Sequence, residues 1–150
     1  MSMKQLDTLF KFESDKEQKA AQQLQMAERD YQENLTRLES VGAFRLEYMK
    51  RLDQRSIAGI DSATYRHFHA FVAKLDNAAE QVKVAIRQAK SLVEQRRQQW
   101  LTQRQKVQAV ELLRESKRKQ MQKIAAKQEQ NMFDEIATQQ YIRRRNSRFA

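Results

Sequence analysis

Two interleaved rows of apolar residues, each returning every seventh position, run from Met3 to Ile124 with one short break. That repeat constrains the fold more than any other feature of the 150-residue chain. Before the break, one row holds Met3, Phe10, Glu17, Leu24, Tyr31, Leu38, Arg45 and Leu52, six of eight apolar. Its companion holds Leu6, Glu13, Ala20, Ala27, Asn34, Val41 and Tyr48, five of seven apolar. After the break, Val72, Ala79, Ile86, Val93, Trp100, Val107, Arg114 and Met121 form one row, seven of eight apolar. The other is Phe68, Leu75, Val82, Ala89, Arg96, Gln103, Val110, Lys117 and Ile124, six of nine apolar. Alternating steps of three and four sustained this far are the signature of a coiled coil.

Composition excludes the alternative of a compact mixed domain. Such a domain needs many turns, and turns draw on Gly, Pro, Asn and Asp. This chain has no Pro and two Gly, and the space between apolar positions is filled by Gln, Lys, Arg and Glu, all strong helix formers. The break lies near Arg55 to Asp61, where Gly59 relaxes the backbone and Asp61 or Ser62 caps the next helix. The expected fold is therefore all-α: two long helices in an antiparallel coiled-coil hairpin, the second longer than the first. We expect a single elongated domain, with helix one over about 3–55, a turn over about 56–61, helix two over about 62–140 and a frayed basic tail over about 141–150. In the antiparallel register Leu52 faces Phe68, Tyr48 faces Val72, Val41 faces Ala79, Phe10 faces Val110 and Ala20 faces Trp100. Pairing is expected to weaken at the open end, where Leu6 meets Arg114 and Met3 meets Lys117, leaving an unpaired extension from near Lys117.

Catalysis has little to work with. The chain contains no Gly-rich phosphate loop, no GxSxG and no Cys. His67 and His69 stand two apart and point in different directions on a helix, whereas a helical metal pair needs a spacing of three or four. A two-stranded coil also offers no cavity in which carboxylates lose their water. No enzyme activity, cofactor or metal is expected. No apolar run approaches the roughly 20 residues that span a bilayer, and the opening residues lack a secretory h-region. We expect a cytoplasmic protein.

Charge is uneven. Residues 1–75 hold 12 Lys/Arg and 11 Asp/Glu, whereas residues 76–150 hold 17 and 8. A basic half favours an acidic partner. Lys117, Arg118, Lys119, Lys123 and Lys127 alternate with Gln around the helix, and few aromatics accompany them. Such a helix holds nucleic acid without sequence preference and only at low salt, so no specific nucleic acid is expected. A basic structural coiled coil that binds nucleic acid or scaffolds an assembly is the alternative reading of the chain.

The aromatics beside the break are more informative. Arg37, Val41, Phe44 and Tyr48 step by four, three and four, and Phe71, Leu75, Ala78 and Val82 repeat those steps. In the antiparallel register the two sets lie opposite each other and form one strip next to the turn. Tyr48, Leu75 and Val82 are already seam positions, but Phe44 and Phe71 fall outside the seam rows. Aromatics that a two-stranded coil cannot bury fully suggest a protein-binding surface.

The runs LEYMKRL, Gly59-Ile60 and YRHFHAFVAKLDNAAEQ, then Trp100 in a basic helix and EQNMFDEIA, together resemble the FliJ family of the bacterial flagellar export apparatus. The resemblance covers nearly the whole chain. It implies a coiled coil similar to the central stalk of rotary ATPases, which binds the flagellar export ATPase (a FliI-like hexamer) and promotes its ring assembly. It further implies binding to the cytoplasmic domain of the membrane export gate, FlhA, and handling of export chaperones. Such a protein would sit at the cytoplasmic face of the inner membrane through the gate, without inserting into it. Matched residue by residue, the family's gate-binding surface falls on Arg37, Val41, Phe44, Tyr48, Phe71, Leu75, Ala78 and Val82. Phe44 stands where a Tyr can occur and Val82 where a polar ring residue can. By analogy with the stalk, the ATPase would meet the open end, through Phe10, Lys117, Arg118, Met121 and Ile124.

Overall fold

The computed structural model describes residues 1–149, with backbone only for Phe149. Two helices account for almost all of it: α1, Met3–Ala58, and α2, Ser62–Phe149. Helix α1 starts at a capping box. Ser2 Oγ accepts from the Gln5 N–H at 3.2 Å, and Gln5 Oε1 accepts from the Ser2 N–H at 2.9 Å. Helix α1 ends at Gly59, whose φ of 88° is the left-handed conformation that terminates helices and that only Gly adopts without strain. Asp61 then caps α2: its carboxylate accepts from the Thr64 N–H at 3.3 Å while its carbonyl accepts from the Tyr65 N–H at 3.1 Å. Hydrogen bonding from the Thr64 side chain holds the Asp61 carboxyl below its ordinary range. Of the two candidate caps, Asp61 takes the role.

Contacts group into two units. A turn unit comprises residues 16–103, and an extension unit comprises residues 1–15 with 104 onward. In the turn unit the helices run antiparallel. Arg45 donates to Asp76 at 2.6 Å, Arg97 pairs with Glu28 at 3.9 Å, and Arg96 donates to Gln23 at 3.4 Å. Higher α2 numbers thus meet lower α1 numbers. The core is the heptad seam: Ala27, Leu52, Phe68, Val72, Ala89 and Val93 are buried. Each large apolar side chain withdrawn here contributes about 1.5–3 kcal/mol. Trp100 and Ala20 are both half-buried. The only seam position left exposed in this unit is Arg45, which is engaged by Asp76.

In the extension unit Leu6 and Val110 are buried, and Met3, Phe10, Val107, Arg114 and Lys117 are half-buried. The expected weakening at Leu6 and Arg114 does not occur. Arg114 donates to Asp7 and to Glu111, both at 3.0 Å, and its guanidinium lies 4.3 Å from the Phe10 ring centroid. A cation in a seam row is accommodated because carboxylates and a ring enclose it. Burial stops after Lys117, and every described side chain from Arg118 to Arg148 is exposed. The unpaired extension therefore begins near Lys117, where the antiparallel register leaves α2 without an α1 partner, although the heptad rows stay apolar to Met121 and Ile124. Its end differs from expectation: α2 continues to Phe149, so the stretch expected to fray from about residue 141 is helical. With no Pro or Gly in RRRNSRFA, nothing there breaks the hydrogen-bond ladder. Ala150 lies outside the described residues.

Candidate partner-binding surface

Four rings gather beside the turn. Tyr48 lies 4.9 Å from Phe68 and 4.6 Å from Phe71, centroid to centroid, and both pairs are tilted. Phe44 stacks on Tyr48 at 6.4 Å and meets Phe71 edge-on at 6.1 Å. These separations fall in the favourable range for aromatic pairs, each contributing about 0.5–1.5 kcal/mol beyond area burial. The heptad decides the depth of each ring. Phe68 is a seam residue and is buried, whereas Tyr48 and Phe71 are half-buried and Phe44 remains 51% exposed. One face of the cluster is thus folded core and the other is open to a partner.

Of the eight residues expected to share this strip, the structure brings Phe44, Tyr48 and Phe71 into direct ring contact. Val41, Leu75, Ala78 and Val82 are half-buried in the same unit. Arg37 is exposed, and its guanidinium donates to Asn34 Oδ1 at 3.2 Å. Asn34 is itself buried and donates from Nδ2 to the Asp30 carbonyl at 3.0 Å. Among the described residues Asn34 is the buried polar side chain of the seam, and it fixes the first residue of the strip. The heptad rows place Asn34 in the seam but carry no signal for this bond.

Charge rims the rings. The Arg45–Asp76 pair joins the two helices at the level of the cluster, and the Arg55 guanidinium lies 5.5 Å from the Phe68 centroid. Between Tyr48 and the turn, Arg51, Arg55, His67 and Thr64 border a shallow recess whose floor is Phe68. His69 packs against Tyr65 at 4.5 Å, edge to face. The two histidines therefore serve different surroundings. Among the described residues no group of three or more His, Cys, Asp or Glu side chains is placed to hold a metal.

The five residues expected at the open end belong to the extension unit. Phe10 is half-buried with its ring turned to Arg114, while Lys117 is half-buried and Arg118, Met121 and Ile124 are exposed. Phe10 is thus part of the packing, and the others lie where the pairing ends. Among the described residues no helix is long and apolar enough to cross a membrane.

Comparison with known proteins adds the family. No curated protein and no solved structure gives a match. Residues 3–146 match the family described as Flagellar FliJ protein, which covers nearly the whole chain. That family comprises non-catalytic components of flagellum biogenesis and protein export. With the heptad hairpin and the match in agreement over α1 and α2, the chain belongs to the FliJ family of flagellar export components.

Proposed function

We propose that this protein links the flagellar export ATPase to the cytoplasmic domain of the FlhA gate. In this reading the turn unit presents Phe44, Tyr48 and Phe71 to the gate, flanked by Arg37, Val41, Leu75, Ala78 and Val82. The extension unit meets the ATPase through Lys117, Arg118, Met121 and Ile124, with Phe10 holding the end of the paired region, and so promotes ring assembly. Export chaperones dock and leave the same molecule, which sits at the cytoplasmic face of the inner membrane through its gate contact. The action is positional: it brings ATPase and gate together and performs no chemistry.

The observation that carries this reading is the half-exposed ring cluster. A hairpin needs Phe68 in its seam, but it does not need Phe44 at 51% exposure stacked outside it. Large aromatics in a partly desolvated patch are the residues that dominate binding energy at interfaces. Phe44→Ala combined with Phe71→Ala should weaken binding to the FlhA cytoplasmic domain by about 2–4 kcal/mol, with helicity and ATPase stimulation nearly unchanged. Equal loss of both partners would overturn the division of labour between the two units.

A further inference from the structure

Beyond Ile124 the heptad rows lose their apolar character. They run on through Gln128, Glu135 and Ile142, and through Asn131, Thr138 and Arg145. A second coiled-coil helix has no seam to follow there. A different face appears instead. The helical step of about 100° per residue sets Met132, Phe133 and Ile136 on one side of α2 and Asp134 and Glu135 on the other. Phe133 is 59% exposed, and Met132 and Ile136 are similarly open. Arg143 and Arg144 continue the apolar side, and Tyr141 lies among Arg144, Arg145 and Arg148. From Lys117 to Arg148 the chain carries nine Lys/Arg against three Asp/Glu.

We propose that the segment from Met132 to Arg148 binds the surface of an anionic phospholipid membrane. A bilayer surface offers two layers at once, phosphates at the headgroup level and acyl chains just beneath. This helix carries the matching pair on one side. The guanidinium forks of Arg143 and Arg144 suit phosphate oxygens, and Met132, Phe133 and Ile136 suit the boundary of the acyl region, whereas Arg145 shares the side of Asp134. Within the segment Asp134 and Glu135 point away from that side, and Glu129, which shares it, precedes the segment. Nucleic acid supplies the phosphates without an apolar layer and leaves Phe133 and Ile136 in water. The basic residues are arginines in the last stretch, where a planar fork is useful, and mostly lysines between Lys117 and Lys127, where the apolar neighbours differ. The contact lies in the interface and does not span it, in keeping with the lack of a spanning helix among the described residues.

The experiment uses the full chain with sedimenting vesicles, either pure phosphatidylcholine or phosphatidylcholine mixed with phosphatidylglycerol. The protein should pellet with the mixed vesicles and stay in solution with the neutral ones. Replacing Arg143 and Arg144 by Gln should lower the partition at least about tenfold. Replacing Met132, Phe133 and Ile136 by Gln, which keeps helix propensity, should lower it by a similar factor. Circular dichroism checks that both variants stay helical. Equal pelleting with neutral vesicles, or an arginine variant that binds as well as the parent, overturns the proposal. So does an apolar variant that binds phosphatidylglycerol undiminished, since the attraction would then be charge alone. Gate and ATPase binding do not enter these readings, so the outcome is independent of the partners proposed for the other residues.

Discussion

Arg114 holds a seam position whose neighbours in the row are Trp100, Val107 and Met121. A cation there costs desolvation unless charge and hydrogen bonds are returned to it. Asp7 and Glu111 return both, and the Phe10 ring covers a face of the guanidinium. Because Arg114 is mostly withdrawn from water, its contacts exceed the small worth of exposed surface pairs. Arg114→Ala should destabilise the protein by about 1–2 kcal/mol in urea unfolding, and part of that loss should vanish at high salt. A cost no larger than that of Lys119→Ala, on the exposed extension, would mean the enclosure contributes nothing. Sequence alone places Arg114 opposite Leu6 and implies a weak end. The rotamers of Asp7 and Glu111 reverse that implication, and rotamers are not written in a heptad.

At the scale of the element, α1 shows which parts of the fold are legible and which are not. The seam rows are readable because burial follows a simple period, and every seam position on α1 except Arg45 is buried or half-buried. The break is readable from Gly59, although the choice between Asp61 and Ser62 depends on which side chain reaches Thr64. Phe44 and Phe71 are readable as outside the seam, but the period cannot say that Phe71 is half-covered while Phe44 remains open. The end of α2 is not legible, because a run of arginines resembles a solvated tail although it contains no helix breaker. Asn34 is the buried one among the polar seam residues of α1, which also include Glu13, Glu17 and Arg45. Its bonds to the Asp30 carbonyl and to Arg37 lie within α1, so the cost of burying it is offset without help from α2. A buried polar residue in a seam trades stability for a unique register. Asn34→Leu should raise the melting temperature and at the same time let the protein populate helix-swapped dimers, seen as a second species in size-exclusion chromatography with light scattering. A variant that melts lower and stays a single species would assign Asn34 to stability alone.

At the scale of the whole molecule, the two proposed partners are met by different physics. The proposed gate surface is a ring cluster with half-exposed Arg45 and Asp76 at its rim, so its attraction would be mainly desolvation of aromatic area. The proposed ATPase surface begins where burial ends, at Lys117, Arg118, Met121 and Ile124, in the half of the chain that carries 17 Lys/Arg and 8 Asp/Glu. Exposed charges interact over a distance set by salt, with a Debye length of about 10 Å at 0.1 M and well under half of that at 1 M. Apolar burial is not weakened by that screening. Raising sodium chloride from about 0.1 M to about 0.5 M should therefore reduce the stimulation of ATPase activity at least about fivefold, while FlhA binding changes by less than about twofold. Replacing Lys117 and Arg118 by Gln should reproduce the effect of salt on the ATPase and flatten its remaining salt dependence. If gate binding falls in parallel with stimulation, charge rather than the rings holds the gate. The role given to Phe44 would then pass to the arginines around it.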